Sequence, residues 1–261
     1  MNRISKITTF LRAAVSLRSI NLRGLPIIPK RWWPSVPNNR TAYNEFILWI
    51  KSLRLSSASW VVDVGANHGD FAQAASTVFP NAKVLLIEPV PVLQAELKSR
   101  CLDYQPRWFL EPCAAGSQAG SGELVMDQKN DDIGSLVGFS DEYLRLNPSV
   151  ATAGTITCSI KPLDQILAER KIEHIDLVKI DVEGFEFEVL DGFQSLLPVV
   201  RSIIVEVSLV RRAKADVDPV ANMTNRLTES GFEIVATIPS VYAPDETRRP
   251  VEFNILARRV S

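Results

Sequence analysis

Four acidic residues stand at or near the ends of predicted β-strands, where an open α/β sheet binds its ligands. Asp63 lies in a strand that runs into a glycine turn, and Glu88 ends the next apolar strand. Asp181 and Glu183 follow a later apolar strand. Carboxylates are seldom buried without a partner, so several that converge on one crevice indicate a function. They could hold ribose hydroxyls, accept a proton as a general base, or bind a divalent cation.

The turn after Asp63 reads Gly65-Ala-Asn-His-Gly69 and leads into a helix predicted at 71–79. Glycines let a backbone approach a ligand closely, and the first N–H groups of a helix have no partner within it. Asp70 is predicted to cap this helix. Glu88 follows Asp63 by about 25 residues, roughly the spacing at which a doubly wound sheet presents a carboxylate to ribose hydroxyls. The turn and the acid together predict a nucleotide-binding unit.

Each of these acids also has a purely structural interpretation. Glu88 would then end a strand at the surface. Asp181 would cap the helix behind it, while Glu183 and Glu186 would favour the dipole of that helix. These roles can coexist with function. His68 is a further candidate base, although a single histidine in a glycine turn is more often a loop residue with a satisfied hydrogen bond.

Apolar periodicity predicts an alternation of strands and helices over most of the chain. Helices are predicted at 41–55, 71–79, 92–101, 163–170, 185–196 and 219–231, and strands at 61–64, 83–88, 108–115, 155–160, 177–180, 202–208, 232–238 and 251–257. The last two strands are joined by a turn too short for a crossover helix, so they should be antiparallel. The predicted fold class is α/β: a mostly parallel, Rossmann-like sheet with an antiparallel C-terminal strand pair and helices on both faces.

The pattern loosens between residues 116 and 155, where glycines punctuate short apolar segments. We interpret this stretch as a small β-hairpin insertion with a loop that contains Asp131, Asp132, Gly134 and Ser135. Long irregular segments in compact domains often serve as lids, although some are only variable surface.

Residues 1–40 are predicted to form a basic amphipathic segment and a proline-rich connector, followed by one domain at 41–261. The first acidic residue is Glu45, and apolar residues recur at helical spacing before the connector. A basic helix at 1–20 could contact an anionic membrane surface peripherally. The alternative, which amphipathic helices more often follow, is packing on the domain or on a partner subunit.

Composition argues against several classes of protein. The formal net charge is −1, so the chain lacks the overall positive charge that is typical of nucleic-acid-binding proteins. Cys101, Cys113 and Cys158 are widely spaced, which predicts free thiols in a reducing compartment and hence a cytoplasmic protein. The presence of only two histidines argues against a His-rich zinc site, and no apolar run reaches membrane-spanning length.

Several motifs together resemble the FkbM-type S-adenosylmethionine-dependent methyltransferases. They are Val62-Asp-Val-Gly-Ala-Asn-His-Gly69, Glu88-Pro89, Leu163-Asp164, Lys179-Ile-Asp-Val-Glu-Gly-Phe-Glu186 and Ile204-Val-Glu206. The resemblance covers roughly residues 58–258, and the run from Lys179 is its specific part. It implies the class I methyltransferase fold, S-adenosyl-L-methionine as cofactor, and methyl transfer to a hydroxyl of a sugar, a glycan or a related natural product.

The resemblance also implies roles for individual residues. The cofactor-binding set is Asp63, Gly65, Ala66 and Asn67 for the methionine and ribose portion, Glu88 for the ribose hydroxyls, and Pro89, Ala114 and Ala115 for the adenine. Asp181 should face the sulfonium and the acceptor, and Asp181 and Glu183 are the candidate bases for a hydroxyl nucleophile. A divalent cation held by Asp181 and Glu206 is an alternative that the sequence leaves open.

Two other functions remain open at this point. A nicotinamide-dependent oxidoreductase is disfavoured because the turn lacks the third glycine of the dinucleotide fingerprint. A non-catalytic binding protein that retains the fold is disfavoured by the intact acids at 63, 88, 181 and 183. The expected partner is a small-molecule or glycan acceptor, and the sequence does not indicate an oligomeric state.

Overall fold

The computed structural model describes residues 40–127, 134–147, 150, 152–210 and 218–260. The predicted N-terminal helix with its membrane contact lies outside these residues, as do Asp131 and Asp132 of the predicted loop. The division at residue 40 therefore stays a prediction. Within the described ranges, no helix combines the length and the apolar composition that crossing a membrane requires.

Strands and helices alternate through most of the described chain. The strands are β1 (Trp60–Val64), β2 (Lys83–Ile87), β3 (Trp108–Glu111), β4 (Ala114–Ala115), β5 (Gly120–Asp127), β6 (Gly134–Ser135), β7 (Thr152–Lys161), β8 (Ile175–Ile180), β9 (Val200–Ser208), β10 (Phe232–Tyr242) and β11 (Pro250–Arg259). The helices are α1 (Arg40–Ser52), α2 (Asp70–Val78), α3 (Pro91–Asp103), α4 (Asp141–Leu146), α5 (Leu163–Glu169), α6 (Glu186–Asp191) and α7 (Pro219–Glu229), and a 3₁₀ turn covers Leu197–Val199.

Seven strands form the main sheet in the order β10-β11-β9-β8-β1-β2-β3. The five strands from β9 to β3 are parallel, β11 runs antiparallel to β9, and β10 runs antiparallel to β11. This arrangement confirms the predicted fold class, including the antiparallel C-terminal pair. The carboxyl ends of β1, β2 and β8 therefore meet at one edge of the sheet.

The two faces of the sheet differ in polarity. Val62 and Val64 of β1 share a large buried apolar cluster with Val178 and Ile180 of β8, and residues of α5, α6 and α7 complete it. Complete burial of each such side chain stabilises the fold by roughly 1.5–3 kcal/mol. Because side chains alternate along a strand, Asp63 and its neighbours point to the other face, where α2 packs. Helices thus cover both faces, and the polar residues of the carboxyl edge lie on one of them.

The predicted insertion is a second sheet of four strands, in the order β4-β7-β5-β6. β5 and β7 form a long antiparallel pair, and β6 pairs with the end of β5. The predicted single strand at 108–115 is wrong, because β3 belongs to the main sheet and β4 to the second. Pro112, which has no N–H to offer, and a hydrogen bond from the Cys113 N–H to the Glu111 carbonyl turn the chain between them.

Three predicted helix ends are also wrong, and the first is that of α1, which is predicted to reach residue 55 but ends at Ser52. The cap of α2 is Gly69, with φ +79°, and Asp70 is instead the first helical residue, 3.7 Å from the Arg100 guanidinium. The helix predicted at 185–196 ends at Asp191, where Gly192 follows and donates its N–H to the Glu188 carbonyl. Apolar periodicity continues past this point because Phe193 still faces the core.

Candidate functional site

A buried lysine lies among the predicted acids at the carboxyl edge. The Lys179 ammonium is 3.0 Å from Asp181 Oδ2 and 3.7 Å from Asp63 Oδ1, and it donates a hydrogen bond of 3.5 Å to the Gly65 carbonyl. It also interacts electrostatically with Glu206 on β9. One cation thus joins the glycine turn, β1 and the start of the loop after β8.

Burial and neighbouring charges together shift the pKa values of Lys179 and Asp63. Burial by itself would lower the pKa of Lys179, but attraction to Asp181 and Asp63 raises it above its ordinary value, so the ammonium stays charged. Burial raises the pKa of Asp63 to about 6, and Lys179 and the Ala72 N–H offset that effect only in part. Neither Asp63 oxygen forms a hydrogen bond of normal geometry among the described residues, and the Lys179 ammonium is 3.7 Å from Oδ1. Asp63 is therefore only partly satisfied by the described protein.

Glu88 holds the glycine turn against the start of α3. Its Oε2 accepts the Asn67 N–H at 2.8 Å and its Oε1 accepts the Val90 N–H at 2.9 Å. Burial nevertheless raises the pKa of Glu88 to about 7, which these two hydrogen bonds oppose. The acid is only 4 % exposed, so the interpretation of Glu88 as a surface strand end is wrong. Each oxygen keeps a second lone pair that a ligand hydroxyl could use.

The glycine turn lies directly against Asp181. Gly65 has φ +76°, and a Cβ added there would stand 1.8 Å from the Asp181 carbonyl oxygen. Only glycine can therefore occupy this position. The Asp181 N–H in turn donates to the Val64 carbonyl at 3.0 Å. The Asp181 side chain is 28 % exposed, so this carboxylate, unlike that of Asp63, reaches solvent beside the turn.

The loop after Asp181 has an unusual backbone. Glu183 has φ +59° and Gly184 has φ +101°. Glu186 is buried, and its Oε1 accepts the N–H groups of Val182 and Gly184 at 3.2 and 2.9 Å. Burial raises the pKa of Glu186 to about 7, against the effect of these hydrogen bonds. The first helical residue of α6 thus holds the loop that carries Asp181 and Glu183, which goes beyond the dipole role predicted for it. Phe185, rather than Asp181, stands at the cap position.

The remaining predicted cofactor residues lie beside the turn and at the base of the second sheet. Ala114 is buried in an apolar cluster with Val90 and Leu93, and Ala115 is buried in the main core. Ala66 is buried, whereas Asn67 and Pro89 are half-buried. The assignment of these residues to a cofactor stays a prediction.

A metal centre is not evident at this edge. No group of three or more His, Cys, Asp or Glu side chains in the described ranges is arranged to hold a metal ion. The charge facing Asp181 and Glu206 is the Lys179 ammonium. His68 forms a hydrogen bond through Nδ1 with Glu96 Oε2 at 2.8 Å, and both side chains are more than a third exposed.

Sequence reasoning identifies the acids of this site but gives Lys179 no role. A signal for it exists, since a lysine inside the otherwise apolar run Leu177–Ile180 is costly to bury without a partner. Ser135, which contacts the Asp181 loop, is predicted only as part of a loop. No local pattern shows that a residue 48 positions away donates to the Glu183 carbonyl.

A family model and several relatives that match this chain are methyltransferases. A family model described as the methyltransferase FkbM domain matches residues 63–234. The chain is 28 % identical over 221 residues to the 31-O-demethyl-FK506 methyltransferase FkbM of Streptomyces tacrolimicus, covering 77 % of this chain and 81 % of the relative. It is 26 % identical over 211 residues to the 2-O-methyltransferase NoeI of Sinorhizobium fredii, covering 76 % and 78 %.

A third relative and one solved structure extend the comparison. The hexuronic acid methyltransferase AglP of Haloferax volcanii is 29 % identical over 170 residues, covering 64 % of this chain and 61 % of the relative. A crystal structure from Klebsiella pneumoniae, assigned to the O-methyltransferases, superposes with a TM-score of 0.52 at 13 % identity and covers 91 % of this chain and 93 % of that one. The structural likeness supports the fold alone.

Proposed function

The chain belongs to the FkbM methyltransferase family, and from this premise we propose that it transfers a methyl group from S-adenosyl-L-methionine to a hydroxyl oxygen. The observation that carries the proposal is the contact between the glycine turn and Asp181. A partly exposed carboxylate stands directly beside the turn that would hold the cofactor. Such a pair brings a methyl donor and a proton acceptor to one place.

The residues of the carboxyl edge fit this cofactor. Asp63 is a buried carboxyl that forms no hydrogen bond of normal geometry among the described residues, and its charge favours a further cationic group nearby. Glu88 retains lone pairs that would accept ribose hydroxyls. Gly65 and Asn67, both at positive φ, shape the turn that would line the methionine portion. Pro89 and Ala114 would offer apolar surface for the adenine.

The chain's own residues would act by alignment and proton removal. The bound cofactor would supply an electrophilic methyl group. Asp181 would accept the proton of the acceptor hydroxyl as the oxygen attacks, and Lys179 would hold the Asp181 carboxylate in place. Glu183 is the second candidate base.

A hydroxylated natural product or sugar is the proposed acceptor class. The names of three relatives refer to 31-O-demethyl-FK506, to a 2-O position and to a hexuronic acid. The oxidoreductase alternative is set aside because the matched family is one of methyltransferases. The non-catalytic alternative becomes an outcome of the tests below.

Calorimetric titration with S-adenosylhomocysteine, with NAD in parallel, tests the cofactor. We expect saturable binding of S-adenosylhomocysteine alone. Glu88→Gln should weaken the affinity for S-adenosylhomocysteine about 10–100-fold. Each Glu88 oxygen now accepts one N–H group, from Asn67 or Val90, whereas glutamine has a single acceptor oxygen for both. Binding of NAD alone would overturn the proposal, and undiminished affinity in the variant would remove Glu88 from the site.

Methyl transfer to a panel of hydroxylated sugars and macrolides, followed by mass spectrometry, tests the reaction. In Asp181→Asn we expect turnover to fall about 100-fold or more with S-adenosylhomocysteine affinity nearly unchanged, since general-base catalysis contributes about that much. Asp191→Asn, at a surface ion pair with Arg226, is the matched control. Cofactor binding without transfer to any acceptor would favour the non-catalytic protein.

A further inference from the structure

The loop between β8 and α6 has a backbone that needs support. It carries both candidate bases, Asp181 and Glu183, and Glu183 has φ +59°. A residue with a Cβ is disfavoured in this left-handed region, so the conformation persists only where neighbouring groups hold it. Glu186 supplies one such hold through the N–H groups of Val182 and Gly184.

A second hydrogen bond that supports this loop comes from outside the main sheet. Ser135 lies in β6 of the second sheet, its side chain is fully buried, and its Oγ donates to the Glu183 carbonyl at 2.7 Å. The same Oγ accepts the Val137 N–H at 3.3 Å, which orients the hydroxyl. The carbonyl of the strained residue is thus bound by one sheet while its neighbouring N–H groups are bound by α6.

The position of β6 is itself fixed by close packing. A Cβ added at Gly134 would stand 2.6 Å from Leu124 Cδ2, so β6 packs closely against the Leu124 side chain of β5. β6 pairs with Val125 and Met126 through Ser135 and Gly134. Ser135 therefore reaches Glu183 from a residue that is paired within the second sheet.

We propose that Ser135 is a positioning residue, which holds the strained Glu183 backbone and thereby fixes Asp181 and Glu183 for the acceptor. The inference rests on the proposed function for its meaning in catalysis. It links the second sheet to the reaction, because changes in that sheet should alter transfer to the acceptor more than affinity for the cofactor.

The test is a double-mutant cycle between Ser135→Ala and Glu183→Gly, read by hydrogen exchange of the amides at 182–184. In Ser135→Ala we expect exchange to become about tenfold faster, because the loop opens more often. In the Glu183→Gly background the same substitution should change exchange less than about threefold, since glycine adopts positive φ without strain and needs no hold. Ser121→Ala, at an exposed serine of the same sheet, is the control.

Two outcomes of the exchange cycle would overturn the inference. Equal acceleration by Ser135→Ala in both backgrounds would mean that the serine only fills space, and no acceleration would mean that it holds nothing. With any acceptor that the wild-type protein methylates, Ser135→Ala should lower kcat about tenfold while the KM for S-adenosylmethionine stays within about threefold. An unchanged kcat would equally refute the positioning role.

Failure of the proposed function would look different. A wild-type protein that binds no S-adenosylhomocysteine would refute the cofactor assignment, yet the exchange cycle would still report whether Ser135 holds the loop. Normal binding with an additive cycle would refute the positioning role and leave the methyltransferase proposal intact.

Discussion

Two aspartates on adjacent strands, Asp176 near the amino edge of the sheet and Asp63 near the carboxyl edge, are buried to almost the same degree but have opposite surroundings. Asp176 accepts the N–H groups of Ser59 and Trp60 at 2.6 and 3.2 Å. It also pairs with Arg201 at 2.8 Å and forms a hydrogen bond with His174 at 3.0 Å. Asp63 forms no hydrogen bond of normal geometry within the described chain, and the Lys179 ammonium is 3.7 Å away.

The pKa values of the two carboxyls are shifted in opposite directions, although burial raises both. Burial by itself would raise the pKa of Asp176, but its four donors together bring that pKa below the ordinary value. The pKa of Asp63 is raised to about 6, because burial outweighs Lys179. A carboxylate that only stabilises the fold is thus fully satisfied, whereas one that is only partly satisfied marks the edge where a ligand would bind.

Removing Lys179 should be the most damaging change at the carboxyl edge. In Lys179→Met the carboxylates of Asp63 and Asp181 lose their buried counter-charge, so the free energy of unfolding should fall by about 3–5 kcal/mol. Chemical denaturation at pH 7.5 measures this. Lys161→Met, at a half-buried ion pair with Glu111 and Glu169, is a control that should cost about 1 kcal/mol or less. A similar loss of stability in both variants would mean that the buried ion pairs of Lys179 stabilise the fold no more than the half-buried ion pairs of Lys161.

Removing Asp176 should affect stability alone. Asp176→Ala leaves the N–H groups of Ser59 and Trp60 without their acceptor, and we expect a loss of about 2–4 kcal/mol by denaturation. Affinity for S-adenosylhomocysteine, measured well below the unfolding transition, should stay within about twofold, since this residue lies at the opposite end of β8. A large loss of affinity would break the distinction between the two edges.

The carboxyl edge can be predicted from sequence better than the amino edge for a physical reason. Strand ends, glycine turns and acids are local patterns, so Asp63, Glu88 and Asp181 can be assigned to one edge before any contact is known. The role of Asp176 depends on hydrogen bonds from Ser59 and Arg201, which are distant from it in sequence. No local pattern distinguishes it from a surface aspartate.

The helix boundaries are predicted wrongly because they, too, depend on more than the local sequence pattern. Phe193 keeps the apolar period and so extends the predicted helix at 185–196, although the chain has already left the helix at Gly192. Asp70 is predicted at the cap position because aspartate suits it, whereas Gly69 occupies it at positive φ. Periodicity reports which residues face the core and does not report where hydrogen bonding stops.

The opposite pKa directions predict opposite pH dependences for Asp63→Asn and Asp176→Asn. With a folded pKa of about 6, above an ordinary value of about 3.9, wild-type Asp63 keeps its proton in the folded state between these pH values and loses it in the unfolded state. Raising the pH through this window therefore destabilises the wild-type protein. By the conversion of 1.36 kcal/mol per pKa unit, the effect is about 1–3 kcal/mol.

Asparagine does not titrate, so the stability of Asp63→Asn relative to wild type should rise between pH 4 and about pH 6.5 and stay level above it. For Asp176→Asn the sign reverses, because the stabilisation by wild-type Asp176 is present above its unfolded pKa and is lost as the pH falls through its lowered folded pKa. Thermal denaturation of the three proteins from about pH 2.5 to about pH 8 measures both slopes, since the Asp176 effect lies below about pH 4 and the Asp63 effect between about pH 4 and about pH 6.5. A flat difference for Asp63→Asn would show that Lys179 satisfies Asp63 fully, and the carboxyl edge would then be as self-contained as the amino edge.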